Sequence, residues 1–430
     1  MSDNAPSTAE DDKSAEQPPR PDRRRFLASM LALPFASRSL LFGATARRAH
    51  WTRDHVVVVG AGAFGGWTAL ALLREGARVT LLDAWGAGNS RSSSGGETRL
   101  IRAVYNGEPV YTRMAARALE LWRDAEHRWG RAVFVPTGAL WMCAGDDSYV
   151  RRSMPHLRDA GLRIEELSPV DAQRRYPQMG FAGVRSVFFE PGAGYLLARE
   201  SCELVRETFV REGGEYKVAV ARPVASSSAR LTNAVLSDGS TIAADKFVFA
   251  CGPWMPQLFP DVIGRRIVAT RQEVFFFGVP AGSTQYDVGT LPAWVHISDH
   301  IVYGMPGNER RGLKVADDSA GPEVDPTTMD RAPSAAGLAS ARVILRERFP
   351  GLANAPLVEA RVCQYEASTD GHFLVDRHPR LENVWLVGGG SGHGFKMGPA
   401  MGEHVAALVQ GNTKPIPLFE YQRLQPRPRQ

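Results

Sequence analysis

Val56-Val57-Val58-Val59-Gly60-Ala61-Gly62-Ala63-Phe64-Gly65, then an apolar-periodic run, then Val79-Thr80-Leu81-Leu82-Asp83, decides the fold of this chain. Four consecutive valines suit a parallel strand buried on both faces, where in–out alternation disappears. Gly60, Gly62 and Gly65 follow at G-x-G-x-x-G spacing. The first permits a tight turn, the second lets backbone approach a pyrophosphate, and the third lets helix and strand pack closely. The spacing predicts a helix from about Ala63 to Arg74, with its N-terminal amides facing phosphates. Gly76 ends it, and Asp83 closes the second strand, where a carboxylate can accept hydrogen bonds from an adenosine ribose. Strand, glycine turn, helix and acid together predict that a dinucleotide binds here.

The rest of the chain bounds the answer more loosely. Its 430 residues suit about two domains, and a hydrophobic share of 44% is ordinary for a globular protein. The net charge of +5 comes from scattered Arg and Lys, with no basic run interleaved with aromatics beyond the N-terminus, so no nucleic-acid partner is expected. Cys143, Cys202, Cys251 and Cys363 have neither metal-ligand nor disulfide-framework spacing.

Residues 1–21 are polar and lack an apolar pattern. Arg23-Arg24-Arg25-Phe26-Leu27 and the apolar run to Ala36 resemble a twin-arginine export signal, with Ala44-Thr45-Ala46 as an A-x-A cleavage site. Residues 1–46 are therefore expected to be a signal peptide and the mature chain periplasmic or exported. Arg38 interrupts the apolar segment, so no stable membrane span is expected.

Beyond Asp83, a Gly- and Ser-rich loop leads into Glu97-Thr98-Arg99-Leu100-Ile101-Arg102. Arg99 and Arg102 would be neighbours if this segment were helical, and paired guanidinium groups suit a substrate carboxylate. Gly-acid-Thr-Arg-x-x-Arg resembles the segment beyond the second strand in D-amino-acid-oxidase-type flavoproteins, most of all the monomeric sarcosine oxidase and N-methyl amino acid oxidase family. The resemblance implies that the dinucleotide is FAD, with Thr98, Arg99 and Arg102 in the loop passing the flavin. Ala250-Cys251-Gly252-Pro253-Trp254 resembles the turn that closes that family's cofactor domain, with Gly252 letting backbone pass close to FAD.

Three further segments extend the likeness. Tyr303-Gly304-Met305-Pro306 and Gly312-Leu313-Lys314-Val315 imply a tyrosine lining the substrate pocket and a lysine over the flavin that promotes its reaction with oxygen. Val362-Cys363-Gln364-Tyr365 implies a thioether from Cys363 to the flavin ring, chemistry that suits a thiolate nucleophile. Ser391-Gly392-His393-Gly394-Phe395-Lys396 resembles the family's flavin-contacting glycine loop. There Gly392, His393, Gly394 and Lys396 approach the cofactor, Lys396 pairs with Arg102 on the substrate carboxylate, and His393 packs the loop without acting as a base. Two departures put sarcosine itself in doubt: Asp318 stands where the family has a histidine, and Ser94 and Gly95 replace histidines before Thr98.

The expected fold is α/β. A Rossmann-like FAD-binding domain (51–132, 197–268 and 358–423) is interleaved with an α+β substrate domain (133–196 and 269–357) on an antiparallel sheet. The expected reaction is FAD-dependent oxidation of a C–N bond in a secondary or N-methyl amino acid. It gives an imine and hydrogen peroxide, in a monomer that uses oxygen and no metal. Two rivals share the motifs. One is an exported dehydrogenase of the same fold passing electrons to a quinone or carrier, against which Lys314 argues. The other is a non-catalytic flavin-bearing module, against which Arg102, Lys314 and Lys396 argue together.

Overall fold

The computed structural model describes residues 54–224 and 228–426. The export reading, resting on residues 1–46, lies outside them. Strand His55–Val59 runs between two parallel neighbours, Arg78–Asp83 on one side and Lys246–Phe249 on the other. Both faces are covered, so Val56, Val57 and Val58 are fully buried, which is the physical reason for four valines without alternation. The helix is Ala63–Arg74, as the glycine spacing predicts. Gly60 adopts φ +104°, and a Cβ there would lie 2.2 Å from the Ala250 carbonyl oxygen. A Cβ on Gly65 would lie 1.8 Å from the Gly60 carbonyl oxygen, so helix and turn touch as closely as glycine allows.

The six-stranded sheet has the order Leu374–Arg377, Val384–Gly388, Lys246–Phe249, His55–Val59, Arg78–Asp83, Glu215–Val218. All its pairings are parallel except the one between Leu374–Arg377 and Val384–Gly388. Helix Gly398–Gln410 crosses Ala63–Arg74 at Gly398 and Gly402, where a Cβ would meet Trp67 at 2.6 Å in each case.

The eight-stranded sheet has the order Leu357–Ser368, Ile267–Phe277, Leu313–Asp317, Ile301–Met305, Ala293–Ile297, Ala139–Cys143, Ser186–Glu190, Glu165–Leu167. Its pairings are antiparallel apart from Ala293–Ile297 against Ala139–Cys143. A three-stranded sheet, with Gly194–Leu197 between Thr98–Ile101 and Phe134–Val135, lies in the chain between these two.

Two expectations are corrected. Thr98–Ile101 is a strand, so the helical condition on Arg99 and Arg102 fails. Strand Leu357–Ser368, grouped from residue 358 with the cofactor segments, instead pairs along the whole of Ile267–Phe277 in the large sheet. Its alternation explains this: Val362, Gln364, Glu366 and Ser368 are buried while Cys363 and Tyr365 face the other way. By contact, the described residues cluster as one compact unit. Among them no helix is long and apolar enough to cross a membrane, and no group of His, Cys, Asp or Glu is arranged to hold a metal.

Candidate active site

The main cavity, of about 670 Å³, begins at the carboxyl ends of the parallel strands, where α/β folds bind ligands. Gly60, Gly62, Asp83, Gly252, Trp254, Arg99, Tyr365, Gly392 and Gly394 all line it. The volume falls within the ~300–1,000 Å³ of small-molecule and cofactor sites.

Asp83 organises the first turn. Its two carboxylate oxygens accept the amides of Ala61 at 2.8 Å and Trp85 at 2.9 Å. Burial raises its carboxyl above the usual range, and these amides oppose the shift. Ser94, noted from sequence only as a replaced histidine, has a position of its own: its Oγ accepts the Ala63 amide at 3.1 Å, at the start of the helix. Gly65 does not line the cavity; it seats the helix on the turn.

The cavity's chemistry suits FAD. Glycines admit backbone to a phosphate chain at Gly60–Gly62, and two buried polar atoms on its wall, Ser93 Oγ and Glu366 Oε2, have no hydrogen-bond partner in the protein. Burial pushes the Glu366 carboxyl up to about 7, against the amides of Gly390 and Gly389. Sequence reasoning missed Glu366. Its only signal is a charged residue at an inward position of an alternating strand.

Four cations fall in two pairs: Arg99, which lines this cavity, with Lys314 through Thr98, and Arg102 with Lys396 through Tyr105. The Arg99 guanidinium donates to the carbonyls of Ser93 at 2.6 Å and Thr98 at 2.9 Å, and to Cys363 Sγ at 3.4 Å. Arg102 donates to the Val104 carbonyl and stacks over Tyr105, 4.0 Å from the ring centre. Lys314, 2% exposed, donates to the Thr98 carbonyl at 3.0 Å and hydroxyl at 3.3 Å, with its ammonium 5.6 Å from the centre of the Tyr303 ring. Lys396, 4% exposed, donates to Tyr105 Oη at 3.0 Å and the His393 carbonyl at 2.8 Å. Among the described residues none of the four forms an ion pair with an acid. Desolvation, then the Arg99 charge, brings the Lys314 ammonium down to about 7, and desolvation with Arg102 holds Lys396 well below the usual lysine range.

Some expected contacts are not made. Thr98 is turned to Lys314 and does not border the cavity. The His393 ring is also off the cavity wall, stacked on Phe373 at 4.7 Å with Nε2 against the Gly371 carbonyl at 3.0 Å. Burial, with Lys396 adding to it, pushes the imidazole down to about 3, so it is neutral and packs the loop. Tyr105, one more residue missed from sequence, links Arg102 to Lys396 through its ring and hydroxyl. Tyr303 and Tyr365 lie together, and Tyr365 donates to Asp318 at 2.8 Å.

The glycine turn, the split parallel sheet and the cavity at the strand ends fit a flavin-dependent oxidoreductase. The FAD dependent oxidoreductase family matches residues 55–408, and the chain belongs to that family. It is 30% identical over 364 residues to monomeric sarcosine oxidase of Bacillus sp. strain NS-129, covering 83% of this chain and 93% of that one. It is 24% identical to N-methyl-L-tryptophan oxidase of Yersinia pestis, covering 85% and 97%. The L-proline dehydrogenase structure from P. horikoshii superposes with a TM-score of 0.76 at 20% identity, over 86% of this chain and 97% of that one, and shows the shared fold. The protein is thus an FAD-dependent oxidoreductase acting on amines or amino acids.

Proposed function

We propose that this enzyme oxidises the C–N bond of a secondary or N-methyl amino acid, giving an imine and hydrogen peroxide. The observation that carries this reading is the two pairs of cations, Arg99 with Lys314 and Arg102 with Lys396, none in ion-pair contact with an acid among the described residues. Buried charges with no acid in ion-pair contact are costly, which favours a site that receives anionic groups. Arg102 and Lys396, joined through Tyr105, hold the substrate carboxylate, as charge-assisted hydrogen bonds favour. Lys314, when protonated, supplies a positive charge where negative charge gathers on oxygen, which is electrostatic preorganisation. Tyr303 lines the substrate side.

FAD, when bound, accepts two electrons and a hydrogen from the carbon next to nitrogen. The turn at Gly60–Gly62 and the amides of Ala63–Arg74 that follow the Ser94-bound Ala63 amide would hold its phosphates, and Asp83 its adenosine ribose. Gly252, Gly392 and Gly394 admit it closely. Cys363 would hold it as a thioether, and the Arg99 guanidinium lies 3.4 Å from the sulfur, where it would favour the thiolate that such a link needs. In this reading the six-stranded sheet serves the cofactor and the eight-stranded sheet the substrate, with Leu357–Ser368 contributing to both. The chain acts as a monomer, and residues 1–46 direct its export.

The test uses purified protein, first by acid precipitation. Yellow colour kept in the pellet, and released in Cys363→Ser, is expected. N-methyl and secondary amino acids should then bleach the colour without air and yield peroxide in air. Bleaching without peroxide would transfer the protein to the dehydrogenase reading, and no bleaching by any amino acid would reject amine oxidation.

A further inference from the structure

Glu366, in strand Leu357–Ser368, is 9% exposed and lines the main cavity. Its backbone is held on two sides: it pairs with Ala269, and its carbonyl accepts the Ser391 amide at 3.1 Å. The carboxyl reaches the ends of two parallel strands, Lys246–Phe249 and Val384–Gly388. A Cβ on Gly388 would lie 3.1 Å from Oε2, one on Gly390 3.1 Å from Oε1, and one on Gly252 3.9 Å from Oε2. Glycines at these positions leave room beside the carboxyl. Oε2 nevertheless has no hydrogen-bond partner in the protein. A buried acceptor without a donor is costly, so the group that fills the cavity is expected to bring one.

The order of the sheet says which group that is. Arg78–Asp83, His55–Val59, Lys246–Phe249 and Val384–Gly388 are successive neighbours. At or just beyond their carboxyl ends stand, in the same order, Asp83, the Gly60–Gly62 turn, Gly252 and Gly388–Gly390. Two strand spacings put Glu366 about 10 Å past the phosphate turn, on the side away from Asp83. A dinucleotide with its adenosine ribose at Asp83 and its phosphates at the turn next presents, in that direction, the ribityl chain. That chain is a polyol whose hydroxyls are neutral donors, whereas a phosphate beside the carboxyl would be repelled.

We propose that Glu366 is a further cofactor-binding residue, whose Oε2 accepts a hydrogen bond from a hydroxyl of the ribityl chain. This rests on the reading of FAD in the main cavity with its phosphates at Gly60–Gly62. The contact grips the open-chain polyol, the part of FAD that a nicotinamide dinucleotide lacks, and so contributes to the choice of cofactor.

The test needs no turnover. Apoprotein of the Cys363→Ser variant is titrated with FAD and with FAD lacking the 2′, 3′ or 4′ hydroxyl of the ribityl chain. Binding is read from the change in flavin fluorescence. One deoxy form should bind about tenfold more weakly than FAD, the scale of a hydrogen bond to a charged group. Adding Glu366→Met should weaken FAD by a similar factor but leave that form within about threefold, because the two changes remove the same contact. Glu366→Gln, which keeps an acceptor, should recover part of the loss. Equal weakening of FAD and every deoxy form by Glu366→Met would mean that the residue only shapes the pocket, and would overturn the proposal. So would equal binding of FAD and all the deoxy forms with Glu366 in place, a comparison that stands even if Glu366→Met does not fold. Apoprotein that takes up neither FAD nor any deoxy form would reject the cofactor reading, and the proposal with it.

Discussion

Lys314 and Lys396 are the same residue buried to nearly the same depth, 2% and 4% exposed, yet they sit in opposite kinds of place. Lys314 projects from a strand of the large sheet and is tied to one residue, Thr98, with Arg99 and Cys363 nearby. Lys396 sits in the turn before a helix and is tied to a tyrosine hydroxyl and a carbonyl, with Arg102 nearby. The strand fixes a charge against a rigid wall, and the turn offers one to an arriving group. A buried lysine therefore gains its meaning from what holds it and what it faces, and these two should fail differently.

The largest separation is expected with oxygen. Lys314→Met should slow reoxidation of reduced enzyme by about 10²–10³, the loss typical of one preorganised charge-stabilising group. Anaerobic reduction by substrate should change by less than about threefold, and rapid-mixing absorbance in the two half-reactions checks this. Lys396→Met should do the reverse. It should lower kcat/KM for carboxylate substrates by about 10², as expected for a charge-assisted contact, with reoxidation unaltered. If both variants slowed the same half-reaction, the division of labour would be wrong.

The smallest effect concerns stability. The ammonium of Lys314 is brought down to about 7 when folded, whereas the unfolded chain keeps an ordinary lysine. Between those values the unfolded state binds the extra proton, so apoprotein stability should rise with pH across that window, by up to ~1.4 kcal/mol per pH unit. Lys314→Met should lessen that slope, leaving the share of Lys396, whose ammonium is also held low. Urea unfolding of apoprotein in a Cys363→Ser background, at about pH 7.5 and about pH 9.5, measures it.

The contrast also explains what could be read beforehand. His55–Asp83 was legible because its constraints are local: Gly65 must clear Gly60, and the buried strand must be apolar on both faces. Nothing near Lys314 in the chain tells that Thr98, 216 residues earlier, receives its ammonium. Its role came from family likeness, as did that of Cys363. Arg99 and Arg102 show where a pattern misleads, since spacing of three means one thing on a helix and another at the end of a strand. Thr98 and Ile101, both β-branched, were the local signal for the strand. Leu357–Ser368 was misplaced because a partner so distant as Ile267–Phe277 decides which sheet takes it.

The order of the six-stranded sheet also sets a clock. On the ribosome, His55–Val59 can pair with Arg78–Asp83 as soon as both have emerged, but its other neighbour is Lys246–Phe249. At ~5–20 residues per second, that edge waits on the order of ten seconds or more for its second partner. Val384–Gly388, next in the sheet, comes later still. An unpaired run of valines is an aggregation hazard for as long as it stays open. The stretch that most firmly specifies the finished enzyme is thus the one that most needs shelter, from chaperones or slow release, while the chain is being made.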